Sequence, residues 1–192
     1  MSSPTGLRTL SRIVSRPNAG PGWSARRPLP NVSACFELAE AAVQAQTPLW
    51  IIGKPYTESA PYAQRLVQLA RQHASIIRYE GAIADRAKLA QVYREARGFV
   101  LLSGMESLSL SVLEAAACEC PLLLSHLPWA TAAFRENACY CPVAASVAKS
   151  AGYLRQFYDT APGLRPPSKP LTWLEVGPQL KCLYETLLSI SR

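Results

Sequence analysis

Ala96-Arg-Gly-Phe-Val-Leu-Leu-Ser-Gly-Met-Glu-Ser-Leu-Ser-Leu-Ser-Val-Leu-Glu-Ala-Ala-Ala-Cys-Glu-Cys-Pro121 is the stretch on which the reading of this 192-residue chain turns. It opens with an apolar run of strand length, Phe99 to Leu102, stopped by Ser103-Gly104. After a polar turn the period changes: Leu110, Leu113 and Ala117, with Val112 and Ala116, recur at helical spacing. Strand, tight turn and helix in that order set a helix N-terminus over the carboxyl edge of a sheet. Unpaired N–H groups and the positive end of the helix dipole gather there, which suits a phosphate. Glu106 lies just before the helix and Glu114 inside it. Carboxylates do not bind phosphate, but they accept hydrogen bonds from sugar hydroxyls. A phosphate seat between two hydroxyl acceptors is the outline of a sugar-nucleotide site.

Outward from this unit the pattern repeats. Upstream, a helix capped by Ser33 runs to about Gln46, followed by the buried strand Leu49-Trp-Ile-Ile52 and the turn Gly53-Lys54-Pro55. A helix from Pro61 to His73, a strand Ser75–Tyr79 and a helix capped by Asp85 through Ala96 come next. Downstream lie a strand Leu122–Ser125, a short helix near Ala130–Phe134, a strand Cys139–Cys141 and a helix over Val143–Tyr158. A Pro-rich spacer, Pro162 to Pro170, leads to Thr172-Trp-Leu-Glu175, which reads as a capping box. The terminal helix that it starts carries Leu180, Leu183, Tyr184 and Leu187 on one face, and Gly177-Pro178 would tighten or bend it early. Strands alternating with helices imply an α/β fold: a Rossmann-like, three-layer parallel sheet of six strands covered on both faces. Thr9–Val14 supplies its first strand, so residues 1–31 form a basic head with that strand and a loop, and 32–192 the nucleotide-sugar-binding body.

Glu106-Ser-Leu-Ser-Leu-Ser-Val-Leu-Glu114, the small-residue run Ala115-Ala116-Ala117-Cys118 and Pro121-Leu-Leu-Leu-Ser125 resemble the C-terminal half of the group 1 (family 4) retaining glycosyltransferases, which have the GT-B fold. The likeness covers roughly residues 32–190 and is most specific over 99–125. It implies that Glu106 meets the donor sugar, that Glu114 holds the ribose, and that the backbone of Ser107, Leu108, Ser109, Leu110 and Ser111 holds the diphosphate. It takes in Leu49–Gly53 and Gly81-Ala-Ile83 as well. Gly53, Gly81 and Ile83 thereby join the nucleotide-binding candidates, with Gly81 where backbone would meet the base, and Lys54 joins them as a basic residue next to Gly53 and not by motif. Ser11-Arg12-Ile13 resembles the family's arginine element, so Arg12 is the cation expected at the leaving diphosphate. Two departures stand out. The family carries glycine where this chain has Ser107 and Ser109, and Pro30 stands where its lysine element belongs. Arg26, Arg27 or Lys54 could deliver that charge instead. By the same resemblance a nucleoside-diphosphate sugar such as a UDP- or GDP-sugar is the donor, an acceptor hydroxyl receives the sugar with retention, and no metal or other cofactor is required. A Trp-led terminal helix crossing back toward the other domain is a further family feature.

Composition bounds the alternatives. With 49% hydrophobic residues the chain can bury one full core, and no apolar run approaches the about 18 residues of a membrane span. Of the formal charge of +7, the first 36 residues supply Arg8, Arg12, Arg16, Arg26 and Arg27 with no acid, leaving 15 basic against 13 acidic groups elsewhere. So neutral a body does not suit nucleic acid. A Ser- and Arg-rich head can serve as a transit peptide, but a remnant of the connection to a missing partner domain fits better. Cys118, Cys120, Cys139 and Cys141 form two Cys-x-Cys pairs, not zinc-type spacing, and read as reduced, partly buried thiols. His126 follows a strand at the carboxyl edge and points toward the same crevice. No Ser/His/Asp set, P-loop or Gly-x-Gly-x-x-Gly is present. The expectation is a donor-binding domain that acts with an N-terminal acceptor-binding domain or subunit. It would be cytoplasmic, with peripheral membrane contact through its acceptor as an option, and poorly active alone. The competing readings are a degenerate sugar-nucleotide module that serves interaction only, and a dinucleotide-binding domain that would prefer NAD.

Overall fold

The computed structural model describes residues 13–15, 35–53, 61–106 and 108–190. Six strands, β1 (Ile13–Ser15), β2 (Leu49–Ile52), β3 (Ile77–Glu80), β4 (Gly98–Leu101), β5 (Leu122–Ser125) and β6 (Cys139–Cys141), form one sheet in the order β3-β2-β1-β4-β5-β6. Every pairing is parallel. The short β1 holds the centre: Ile13 pairs with Leu49 on one side and with Gly98 on the other. This is the strand order of the doubly wound nucleotide-binding folds, and the order reverses between β1 and β4. In such folds ligands bind in a crevice outside the carboxyl ends of the strands at that reversal.

Parallel strands covered on both faces read as unbroken apolar runs, and alternate side chains divide between two cores. Leu49 and Ile51, with Ile77, Val100, Leu123 and Cys141, face the helices α1 (Cys35–Gln44), α2 (Pro61–Gln72) and α6 (Val147–Thr160). Trp50 and Ile52, with Val14, Phe99, Leu101, Leu122 and Leu124, face α3 (Arg86–Glu95), α4 (Leu110–Ala117) and α5 (Pro128–Phe134). Each such leucine or isoleucine removed from water contributes about 1.5–3 kcal/mol before ordering costs. Gly98 is set by close approach, because a Cβ there would lie 2.6 Å from the ring of the buried Phe157.

Several boundaries differ from the sequence reading. β3 begins at Ile77, two residues late, because α2 winds down through a turn in which the N–H groups of Ile76 and Ile77 both donate to His73 O. β4 ends at Leu101. α6 starts at Val147 and not near Val143: Ala144 takes a φ of 55°, which breaks a helix, and Ser146 caps the next turn by accepting the Lys149 N–H at 3.3 Å. The Ser33 cap and most of Thr9–Val14 fall outside the described residues.

The terminal helix α7 (Trp173–Ile190) runs on through Pro178 and buries none of its residues. Trp173 is 84% exposed, and Leu183, Tyr184 and Leu187 are all more than half exposed. Its capping box forms in one half. The Thr172 N–H donates to Glu175 Oε2 at 2.7 Å, while the Thr172 hydroxyl donates to that same oxygen instead of accepting a backbone N–H.

Candidate functional site

The site is built on α4 and the loop that enters it. Ser103 ends the β4 run, and its N–H donates to Ser125 Oγ at 2.8 Å, tying the carboxyl ends of β4 and β5 together. The Ser103 hydroxyl donates to Met105 O at 2.9 Å and accepts the Met105 N–H at 3.3 Å, which folds the chain into a tight bend just before Glu106. Glu106 is half-buried in this loop at the carboxyl edge, leading into α4.

Ser109 is the residue before α4, as expected of a cap, but its side chain makes no capping hydrogen bond. It is fully buried, and its hydroxyl shares a 2.9 Å hydrogen bond with the Ser111 hydroxyl, itself 3% exposed. The first N–H groups of α4 therefore receive no carboxylate or hydroxyl from their own cap. Donors gathered at the positive end of a helix are a fit for an anion. The backbone also answers the glycine question at Ser109: its φ is −82° and its ψ 119°, extended geometry that any residue adopts. With the hydroxyl turned into the protein, serine leaves the mouth open. Ser107 lies outside the described residues. Leu108 and Leu110 are 50% and 68% exposed, so their backbone, not their side chains, is what they can offer a diphosphate.

Glu114 sits four residues beyond Leu110 and hence on the same helix face. Its Oε1 lies 3.9 Å from Arg86 Nη1, the first residue of α3. The guanidinium is 91% exposed, so the tether is worth no more than about 1 kcal/mol and a ribose hydroxyl can compete with it. The sequence reading missed Arg86. Its only local signal was its place after the α3 cap, where Asp85 Oδ1 accepts the N–H groups of Ala87 and Lys88 at 2.8 and 3.2 Å.

On the other side of the crevice, Gly53 ends β2 with a φ of 146° that favours glycine, and its N–H donates to Glu80 O at 3.0 Å. Gly81 is exposed directly after β3, and Ile83 packs half-buried against the core below α3. Lys54, Arg12, Arg26, Arg27 and Pro30 lie outside the described residues. Cys118, Cys120, Cys139 and Cys141 are free thiols, with Cys120 and Cys141 buried. Desolvation raises the pKa of each, that of Cys120 up to about 12. They are therefore held as neutral thiols, a poor starting point for metal ligation. Among the described residues no cluster of three His, Cys, Asp or Glu is placed to hold a metal.

The sequence profile described as "Glycosyl transferases group 1" matches residues 28–157. The chain belongs to that family. Solved structures with the same fold include the pneumococcal O-GlcNAc transferase GtfA in complex with UDP and GlcNAc, 17% identical, with a TM-score of 0.63 over 94% of this chain and 36% of that one. Sucrose-phosphate synthase from Thermosynechococcus elongatus is 18% identical, with a TM-score of 0.60 over 96% and 47%. The C-terminal domain of a group 1 glycosyl transferase (LpcC) from Francisella tularensis is 20% identical, with a TM-score of 0.60 over 77% and 75%. This group 1 chain thus spans about a third to a half of the full-length structures it matches, and 75% of the isolated C-terminal domain. No curated protein matches it significantly by sequence. Its architecture is the Rossmann-like half of a GT-B glycosyltransferase. Among the described residues no helix is long and apolar enough to cross a membrane.

His126 follows β5, and its N–H donates to Cys141 O at 2.8 Å, which seats it between the ends of β5 and β6. Its ring meets Tyr140 edge-on, with centroids 5.6 Å apart. It stands next to Ser125 and so one strand beyond the Glu106 loop.

Proposed function

We propose that this chain is the donor-binding half of a retaining glycosyltransferase. It takes a nucleoside-diphosphate sugar and, together with an acceptor-binding domain or subunit, passes the sugar to an acceptor hydroxyl. The observation that carries this reading is the N-terminus of α4 beside the reversal of strand order, with Glu106 before it and Glu114 one turn inside it. The mouth would take the diphosphate, Glu114 the ribose and Glu106 the hexose. The pneumococcal relative in complex with UDP and GlcNAc supports the choice of ligand class.

In the reaction the bond between the sugar's C1 and the phosphate oxygen breaks, and one from C1 to the acceptor oxygen forms on the same face. The acceptor's proton passes to the departing phosphate oxygen, so no protein nucleophile is required. The amides of the α4 mouth stabilise the charge that grows on the leaving group; losing one such donor typically costs about 10²- to 10³-fold in rate. Arg12 is the cation we assign to the same charge.

Calorimetric titration with UDP, GDP and ADP tests the reading. At least one should bind, and Glu114→Ala should weaken it by about tenfold or more, as expected for a charged group losing a hydroxyl partner. Affinity that survives Glu114→Ala combined with Glu106→Ala, or a preference for NAD, would refute it.

A further inference from the structure

Glu114 has a neighbour to which the donor-binding reading gives no task. Arg86 opens α3 and brings Nη1 to 3.9 Å from Glu114 Oε1. That distance is an ion pair, longer than a hydrogen bond. The Arg86 side chain is 91% exposed and the Glu114 side chain 33%, so the guanidinium keeps most of its N–H donors open to solvent. Its place follows from the fold. α3 packs beside α4, and the chain reaches it from β3 through residues 81–85, all exposed except Ile83. Arg86 therefore links the end of that loop to the carboxylate on α4.

The order of groups in a nucleoside diphosphate decides what meets Arg86. The argument rests on the donor-binding reading above, with the diphosphate at the α4 N-terminus and the ribose on Glu114. Base and phosphates leave the ribose from opposite ends, so the base continues past Glu114, away from the α4 N-terminus and toward residues 81–85 and Arg86. The side chains there are one-sided in their chemistry. A guanidinium only donates hydrogen bonds, and it presents them as a planar fork. The single carboxylate of the loop, Asp85, is committed to its own helix, where Oδ1 accepts the N–H groups of Ala87 and Lys88 at 2.8 and 3.2 Å. A base edge that carries carbonyl oxygens suits such a donor. Guanine offers O6 beside N7 and uracil offers O4, whereas adenine puts an N6 amino donor beside its N7. An amino group facing a guanidinium sets donor against donor.

We infer that Arg86 reads the base. It gives up its loose tie when the ribose hydroxyls take the Glu114 carboxylate, and it donates to a carbonyl oxygen of the base. The chain therefore takes guanine or uracil nucleotides in preference to adenine nucleotides. The exchange costs little, because an exposed ion pair contributes little, and a hydrogen bond from a charged donor to a carbonyl is among the stronger kinds. Arg86 is on this account a specificity-determining residue, remote from the bond that breaks.

Calorimetric titration of the full chain with GDP, UDP and ADP, repeated with Arg86→Ala, tests the inference. In the unaltered chain the tighter of GDP and UDP should bind at least about tenfold more tightly than ADP. Arg86→Ala should weaken that nucleotide about tenfold and ADP by no more than about twofold, which closes the gap. Ribose and diphosphate are common to all three ligands. A residue that merely steadied Glu114 would move the three affinities together and leave their ratio alone, as Glu114→Ala should. Equal losses for the three on Arg86→Ala, no loss for any, or a preference for ADP in the unaltered chain would overturn the inference. The two readings fail separately. If none of the three nucleotides binds, the donor-binding reading falls and the assignment of Arg86 with it. If binding is present and sensitive to Glu114→Ala but the ratio ignores Arg86→Ala, the assignment of Arg86 falls alone.

Discussion

Cys120 ends the turn after α4, 2% exposed, beside residues that take the chain into β5. Burial lifts its thiol from an ordinary value near 9 up to about 12, with the neighbouring Cys118 adding to the rise. The unfolded chain gives up this proton near pH 9 while the folded chain keeps it. The associated stability is therefore complete below pH 9 and falls as pH climbs toward 12. By pH 10 this one thiol should withdraw about 1–2 kcal/mol. Urea unfolding at pH 8, 9 and 10 measures the effect, and Cys120→Ala should flatten the alkaline decline while lowering stability at pH 8. An identical slope in both proteins would mean that the thiol is ionised or solvated in the fold. The residue before it, Glu119, holds a φ of 60°, an unusual conformation for a side chain larger than glycine. Its carboxylate is paired with Lys169 at 2.8 Å.

At the scale of elements, α3 is the best-marked helix in the chain. Asp85 accepts two of its orphan N–H groups, and the helix ends at Ala96, whose N–H still donates to Val92 O. Asp85→Ala should cost about 1 kcal/mol in urea unfolding, and Asp85→Asn should keep most of that, because the cap needs an oxygen more than a charge. Equal losses for both would point to an electrostatic role. The helices also show what a sequence can and cannot convey. The strands Leu49–Ile52 and Leu122–Ser125 were legible because short apolar runs closed by turn residues fit strands buried on both faces. The α6 start was not. Val143, Ala144 and Ala145 look helical by composition, and only the positive φ at Ala144 excludes them. Nor could spacing place Arg86 beside Glu114, since that contact depends on how α3 packs against α4.

The described residues form an open sheet between two cores, with one element attached outside both. Because α7 buries none of its residues, removing residues 171–192 should leave the urea midpoint unchanged, within about 0.5 kcal/mol. The shortened chain should also self-associate less, as Trp173, Leu174 and Ile190 leave with the helix. A clear drop in stability would show that α7 packs on the body. The proposed donor site, in contrast, is inseparable from the fold, since α4 follows directly on β4, next to the reversal of strand order.

The inward turn of the Ser109 hydroxyl reaches beyond this chain. A demand for glycine at this loop position is not set by the backbone conformation, which here is extended and open to any residue. What the position requires is a small side chain that can hide behind the ligand surface in extended backbone, and serine meets that requirement when a second hydroxyl two residues on receives it. On the donor-binding reading proposed above, Ser-x-Ser at a helix entrance is not by itself a mark of decay.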